Sequence, residues 1–264
     1  MQDHISVSQF NTFSRCELQW FFRYIMKQVI APLPAMTIGT ATHDGVEHGY
    51  LSIWQENKYK ISDCTDIARD KIEYDDVTEW VKIDKESAKD KSVNMITAYS
   101  DKGYLDNVRQ DEIVGIELKK PLILKQQDGE LVKILGVADL VLDDKIIDFK
   151  TSGRKMKTAN NYNRLQCSIY AYSYGKEKAA IHAMNHKKSG ADANDFDVPI
   201  MPLGRVNAVM AGFWRHIKEL YELGYDDKDL IRKFNPTGLV HDWACSYCGF
   251  GRMGLCKHYN KTEV

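Results

Sequence analysis

Two aspartates and a lysine stand where this chain otherwise looks like buried sheet. In GVADLVLDDKIIDFKTS (136–152), Asp139, Asp148 and Lys150 interrupt apolar runs built from Val137, Leu140, Val141, Leu142, Ile146, Ile147 and Phe149. Charge in such strands is costly unless something compensates it. A tight turn at Asp143–Asp144 sets Asp139 directly opposite Asp148 across a hairpin. Lys150 then falls on the same face as Asp148, because strand side chains repeat with period two. Like charges facing each other destabilise a sheet. A divalent cation between them converts that repulsion into binding, and carboxylates with waters or phosphate oxygens suit Mg²⁺ or Mn²⁺. An exposed sheet edge carrying incidental acids would instead show polar alternation, whereas this face also carries Val137, Val141 and Ile146.

The elements that must position these groups follow from hydrophobic spacing. Ser8 to Tyr24 reads as helical, and a second helix is expected from Thr40, with His43, Val46, Glu47, Tyr50, Leu51 and Trp54 at helical spacings. Residues 57–112 are charge-rich with scattered apolar anchors and read as an insertion of exposed helices. Strands are expected at Ile113–Leu118, Pro121–Gln126, Val132–Leu142 and Lys145–Lys150. A helix at Asn161–Tyr174, a polar loop at Asn185–Asp197 and an amphipathic helix from Val206 to Leu220 complete the chain before a cysteine-rich segment at 241–264. The sum is an α/β fold, a central mixed sheet flanked by helices, in a single domain spanning 1–264.

With 36 basic against 37 acidic residues, no global basicity advertises nucleic acid, which leaves room only for a local basic groove. MQDHISVSQF has no charged start followed by an apolar run, so no signal peptide is expected, and no apolar stretch approaches the roughly 20 residues of a membrane span. A cytoplasmic, reducing setting follows, in which six cysteines read as thiols or metal ligands rather than disulfides. Cys245, Cys248 and Cys256 cluster closely enough to suggest zinc, with His241 or His258 as a fourth ligand. Cys64 and Cys167 read as buried small hydrophobes.

The order of the pieces resembles the PD-(D/E)XK nuclease superfamily: GVAD ending at Asp139, then DFK, Asp148–Lys150. LQCSIYAY, with Gln166 and Tyr170, matches the Q-x-x-x-Y element of its RecB-like branch, and GTATHDGVE puts His43 where that branch has a metal-binding histidine. ISVSQFNTFSRCELQWFFRY is similar to the branch's N-terminal helix pair with a cysteine between. The resemblance implies a restriction-endonuclease-like core. It implies Mg²⁺ or Mn²⁺ held by His43, Asp139, Asp148 and the Phe149 carbonyl, with Lys150 positioning or deprotonating water. Gln166 and Tyr170 would contact the substrate phosphate or orient Lys150. AddB-type helicase–nuclease subunits and CRISPR-associated exonucleases share the one-plus-three cysteine arrangement, which implies a [4Fe–4S] cluster on Cys16, Cys245, Cys248 and Cys256, with Zn²⁺ as the alternative.

The function expected is a metal-dependent deoxyribonuclease, an exonuclease on single-stranded DNA or DNA ends, working in repair, recombination, CRISPR adaptation or phage DNA processing. A helicase or recombination protein would be its partner. The rival is a non-cleaving iron–sulfur or zinc DNA-binding module. Arg154, Lys155 and Lys157 directly follow the reactive strand and are candidates for the DNA backbone. Glu117 is either an auxiliary acid near the metal or half of a structural salt bridge. Metal and partial burial are both expected to lower the pKa of Lys150.

Overall fold

The structure, a computed structural model, describes residues 3–187, 190–222, 245 and 248–256. It has a mixed α/β architecture with two mixed sheets and divides into two compact units.

One unit comprises Pro32–Leu122 and Gly136–Leu203. Its sheet has five strands in the order β2-β5-β6-β7-β8: β2 (Ile113–Lys119), β5 (Val137–Leu142), β6 (Lys145–Ser152), β7 (Lys178–Lys187) and β8 (Gly190–Asp197). The β5–β6 hairpin turns at Asp143–Asp144 and pairs Leu140 with Ile147 and Val141 with Ile146, the register expected from the sequence. Helix α6 (Asn161–Tyr174) makes the crossover to β7, which runs parallel to β6. Asn160 caps α6 through its side chain, and Gly175 ends it in the left-handed conformation.

The second helix, α3, runs from Pro34 to Glu56, beginning earlier than Thr40 because Pro34 serves as a first-turn residue. Helices α4 (Ile61–Glu73) and α5 (Lys85–Asp101) occupy the stretch read as an exposed insertion. They are more than exposed decoration: Cys64, Ala68, Ile72, Ala88, Met95, Ile96 and Tyr99 join Val46, Tyr50 and Phe149 in one buried cluster. The polar loop expected at Asn185–Asp197 is instead the end of β7 and the edge strand β8, antiparallel along their length, with Ala193 buried. Acids and asparagines on an edge strand are what keeps such an edge from pairing with other chains.

The other unit comprises Met1–Ala31, Ile123–Leu135 and Gly204–Val264. Its sheet has the order β1-β4-β3: β1 (Ile5–Ser6), β4 (Leu131–Leu135) and β3 (Leu122–Lys125). The single strand read at Val132–Leu142 is therefore two, β4 and β5, broken at Gly136 and serving different sheets. Helix α1 (Val7–Arg15) is capped by Ser6, whose Oγ accepts from the Gln9 N–H at 3.2 Å. Cys16 is extended and separates α1 from α2 (Glu17–Trp20), so the continuous helix read from Ser8 to Tyr24 is interrupted at the cysteine. Helix α7 (Leu203–Glu222) buries Val206, Met210, Phe213, Ile217 and Leu220, with Phe213 packed against the rings of Phe10 and Phe13. Glu130 accepts from Trp214 Nε1 at 3.0 Å and Lys218 Nζ at 2.8 Å. Phe22 packs on the ring of Phe250 in the short helix α8 (Gly249–Arg252). No described helix is long and apolar enough to cross a membrane.

Candidate active site

The β5 and β6 strands pair closely only near their turn; the paired positions end at Leu140 and Ile147. Beyond them the Asp139 side chain replaces the ladder, its Oδ2 accepting the Phe149 N–H at 2.6 Å. Side chains alternate along β6. Phe149 lies against the α3 and α5 rings, stacked on Tyr50 at 5.8 Å and edge-on to Tyr99 at 6.0 Å. A buried chain of hydrogen bonds holds those rings: Tyr50 OH to Tyr99 OH at 2.8 Å, and Tyr99 OH to His182 Nδ1 at 2.6 Å. Asp148 and Lys150 take the opposite face, toward Cys167 and Tyr170 of α6.

His43 and Glu47 sit one turn apart on α3 and so share a face. With Asp139 they offer ligand atoms within 4.8 Å of one another, the one such group of three or more among the described residues. The His43 ring stands edge-on to Phe149 at 6.0 Å. Burial, then Lys150, lowers its pKa to about 4, leaving a neutral imidazole that suits a metal. Glu47 is pushed up to about 9 by burial and by Glu117 and Asp139. Burial and the Asp148 charge hold Asp139 well above the usual carboxylate range. Glu117 is raised too, by burial foremost, and shares a hydrogen bond with Glu47.

Glu117 lies between the paired positions Ile116–Leu140 and Leu118–Ala138, which puts it beside Asp139 across β2 and β5. Its φ of +50° is strained for a glutamate in a strand, and such strain concentrates where function requires a side chain to be aimed. Glu117 stands close to Glu47, and no salt bridge to Glu117 occurs among the described residues.

Asp148 is fully buried, and Lys150 Nζ stands 2.6 Å from its Oδ2 as an ion pair. Among the described residues neither Asp148 oxygen receives a well-aligned hydrogen bond, so acceptor capacity remains. Of the two effects expected on Lys150, burial acts as expected, and that of a bound cation would add to it. Burial does lower its pKa, but the Asp148 and Asp139 charges outweigh that effect, and the net shift is upward. Without a cation, Lys150 is an ammonium. Gln166 Nε2 donates to Tyr170 OH at 2.9 Å, so these two residues act as a joined pair beside Asp148 and Lys150. Gly136 is where Tyr170 fits: a Cβ there would lie 2.3 Å from Tyr170 Cε1.

The structure thus brings His43, Asp139, Asp148, Phe149, Lys150, Gln166 and Tyr170 to one end of the sheet and adds Glu47, which the sequence reading left as a helix-face residue. The donor set fits a hard divalent cation: several carboxylates crowded against their own repulsion, one neutral histidine, and Asp148 oxygens with capacity to spare.

After β6 the chain is pinned by buried Asn185, whose Oδ1 accepts the Met156 N–H at 3.3 Å. Lys155 is engaged by Asp192 at 3.2 Å, whereas Arg154 and Lys157 are exposed and have no acidic partner among the described residues. Cys64 and Cys167 are fully buried, as read. Cys16, Cys245, Cys248 and Cys256 are half-buried and in no disulfide; His241 and His258 lie outside the described residues. The Cys248 N–H donates to the Cys245 carbonyl at 3.0 Å.

A search of the curated proteins finds no match. Among solved structures, one titled "Crystal structure of SSO0001" aligns over 89% of this chain and 89% of its own, with 13% identity and a TM-score of 0.39. The family comparison reaches almost the whole sequence: the description "PD-(D/E)XK nuclease superfamily" matches residues 4–253. This chain belongs to the PD-(D/E)XK nuclease superfamily.

Proposed function

We propose that the protein is a divalent-metal-dependent deoxyribonuclease, an exonuclease acting on single-stranded DNA or DNA ends. The observation that carries the reading is the convergence of His43, Glu47 and Asp139 within 4.8 Å, beside the buried Asp148–Lys150 pair. A Mg²⁺ or Mn²⁺ ion held by His43, Glu47, Asp139 and Asp148 would supply Lewis acidity toward the scissile phosphate and a more acidic bound water. The imidazole favours Mn²⁺ over Mg²⁺. Lys150 works from the ammonium state, its Nζ hydrogens orienting the attacking water and a non-bridging phosphate oxygen. Tyr170 and Gln166, joined by their hydrogen bond, would wall that side of the site and orient Lys150 or contact the substrate phosphate. Arg154 and Lys157, unpaired and exposed just past β6, would receive the DNA backbone.

Alongside this activity we place a [4Fe–4S] cluster on Cys16, Cys245, Cys248 and Cys256. Its support is that all four thiols belong to one compact unit, in which α8 packs onto the N-terminal segment: Phe22 meets Phe250, and a Cβ at Gly249 would lie 2.9 Å from Ile30 Cδ1. The cytoplasm, a reducing compartment, is the setting in which such thiols would persist as ligands. Unwinding would fall to a partner helicase or recombination protein.

The test incubates labelled linear and circular DNA, single- and double-stranded, with Mn²⁺ and then with chelator. Cutting of linear single strands or ends that vanishes in Asp139→Ala, with DNA binding retained, is the expected result. Wild-type protein inert toward every substrate and metal would overturn the reading, and cutting of circles would overturn its exonuclease part.

A further inference from the structure

A cavity of about 240 Å³ opens at the end of β6, lined by Thr151 and Ser152 of that strand, Lys91 and Met95 of α5, Ile38 of α3, and His186 of β7. We propose that this cavity is a phosphate subsite, receiving a phosphate of the nucleic-acid strand next to the one being cut. The proposal rests on the nuclease reading only for the identity of the strand.

Its chemistry is the opposite of the carboxylate centre. Lys91 has no acidic partner among the described residues, and its charge reaches His186, where burial and then Lys91 disfavour the protonated ring. Asp192, next to His186's partner Ala191 on the β7–β8 ladder, is already engaged by Lys155 at 3.2 Å and Lys102 at 3.8 Å. The Thr151 hydroxyl makes no hydrogen bond among the described residues, while Ser152 Oγ accepts from the Arg154 N–H at 3.1 Å. A lysine, an imidazole and a hydroxyl donor set into a lining that is otherwise largely apolar, with Ile38 and Met95 in it, select an anion. A volume of about 240 Å³ has room for a partly hydrated phosphate.

Position selects which anion. Thr151 and Ser152 follow Lys150 directly, at about 3.3 Å per strand residue. On α3, Ile38 precedes His43 by five residues, about 7.5 Å of helix axis. Helix and strand stay in contact along this line, since a Cβ on Gly39 would lie 2.9 Å from Thr151 Oγ1. The cavity is therefore displaced from the cation ligands by about 7 Å along α3 and about 10 Å from Asp148 along β6, the scale of a neighbouring phosphate on an extended single strand, whose phosphates lie farther apart than the roughly 3.4 Å axial rise of a duplex strand.

The experiment measures fluorescence anisotropy of a short labelled oligothymidylate against full-length protein, with Ca²⁺ in place of the catalytic ion, over a salt series. Lys91→Gln is expected to weaken binding about five-fold and to reduce the slope of log affinity against log salt by about 0.7, one phosphate contact on a single strand. Lys91→Arg should restore both. Oligomers with 5′-phosphate and 5′-hydroxyl ends distinguish sources: loss with both assigns an internal phosphodiester, loss with the former alone a terminal phosphate, and either supports the site. Wild-type affinity and slope in a folded Lys91→Gln protein overturn it. Because binding is read without turnover, an inert protein that binds through Lys91 would sink the nuclease reading and keep the subsite. A cutting protein indifferent to Lys91 would do the reverse.

Discussion

Removing divalent ions should make this protein lose stability as pH rises, and Glu47 contributes a part of that loss whose size can be worked out. Burial, with Glu117 and Asp139 nearby, takes its pKa from 4.5 to about 9. The folded state therefore binds this proton more tightly than the unfolded state does. The resulting stabilisation is complete below about pH 4.5 and is lost as pH climbs toward about 9. At about 1.36 kcal/mol per unit, the ceiling is about 6 kcal/mol. Glu47 is partly exposed and shares its proton with Glu117, so solvent screening reduces the expected loss to about 2–3 kcal/mol. In a chain this long, each kcal/mol moves Tm by about 2–4 °C, which gives a fall of roughly 5–10 °C between pH 5 and pH 9. The assay is thermal unfolding in excess chelator across that range, for wild type and Glu47→Gln. The amide carries no charge to repel, so its profile should be flatter. Mn²⁺ should raise the wild-type Tm most at the alkaline end, where the ligands are free of protons. A chelated wild-type Tm that holds or rises with pH, or a Glu47→Gln profile parallel to it, would refute the reasoning.

Two further outcomes are expected. Gly136→Ala forces a Cβ to within 2.3 Å of Tyr170 Cε1 and should cost about 1–3 kcal/mol in urea unfolding, and much less when the same change is made in a Tyr170→Ala background. Protein purified without oxygen should be brown with iron and sulfide that disappear in Cys16→Ser, whereas a colourless protein holding one zinc would reject the cluster.

The hairpin was legible because two independent signals agree: acids at Asp143–Asp144 make the turn, and strand alternation puts Asp139 and Asp148 in register. Where only one signal was present, reading failed. The residues of β8, rich in Asp and Asn, look like a loop because little of this edge strand besides Ala193 is deeply buried, so the apolar half of the alternation is missing. Gly136 does not break the apolar run of Val132–Leu142; its role becomes visible only when Tyr170 arrives from a helix more than thirty residues later. Glu47 carried a usable signal, one turn after His43 on the same face, but ordinary amphipathic helices show the same spacing.

The sign of the Lys150 shift exposes a limit of a different kind. From sequence, burial is the term that can be anticipated, and for a lysine it lowers the pKa. The distance of 2.6 Å to Asp148 is not in the sequence, and it reverses the result. The Asp148 charge that helps make Lys150 an ammonium also raises the proton affinity of Asp139, and burial raises that of both. A cation bound by the acids would withdraw their charge from Lys150 as it displaces protons from the carboxylates. Ligand and lysine protonation are thus linked, so the site's charge state at neutral pH follows from whether the metal is present, more than from the ordinary pKa of any member.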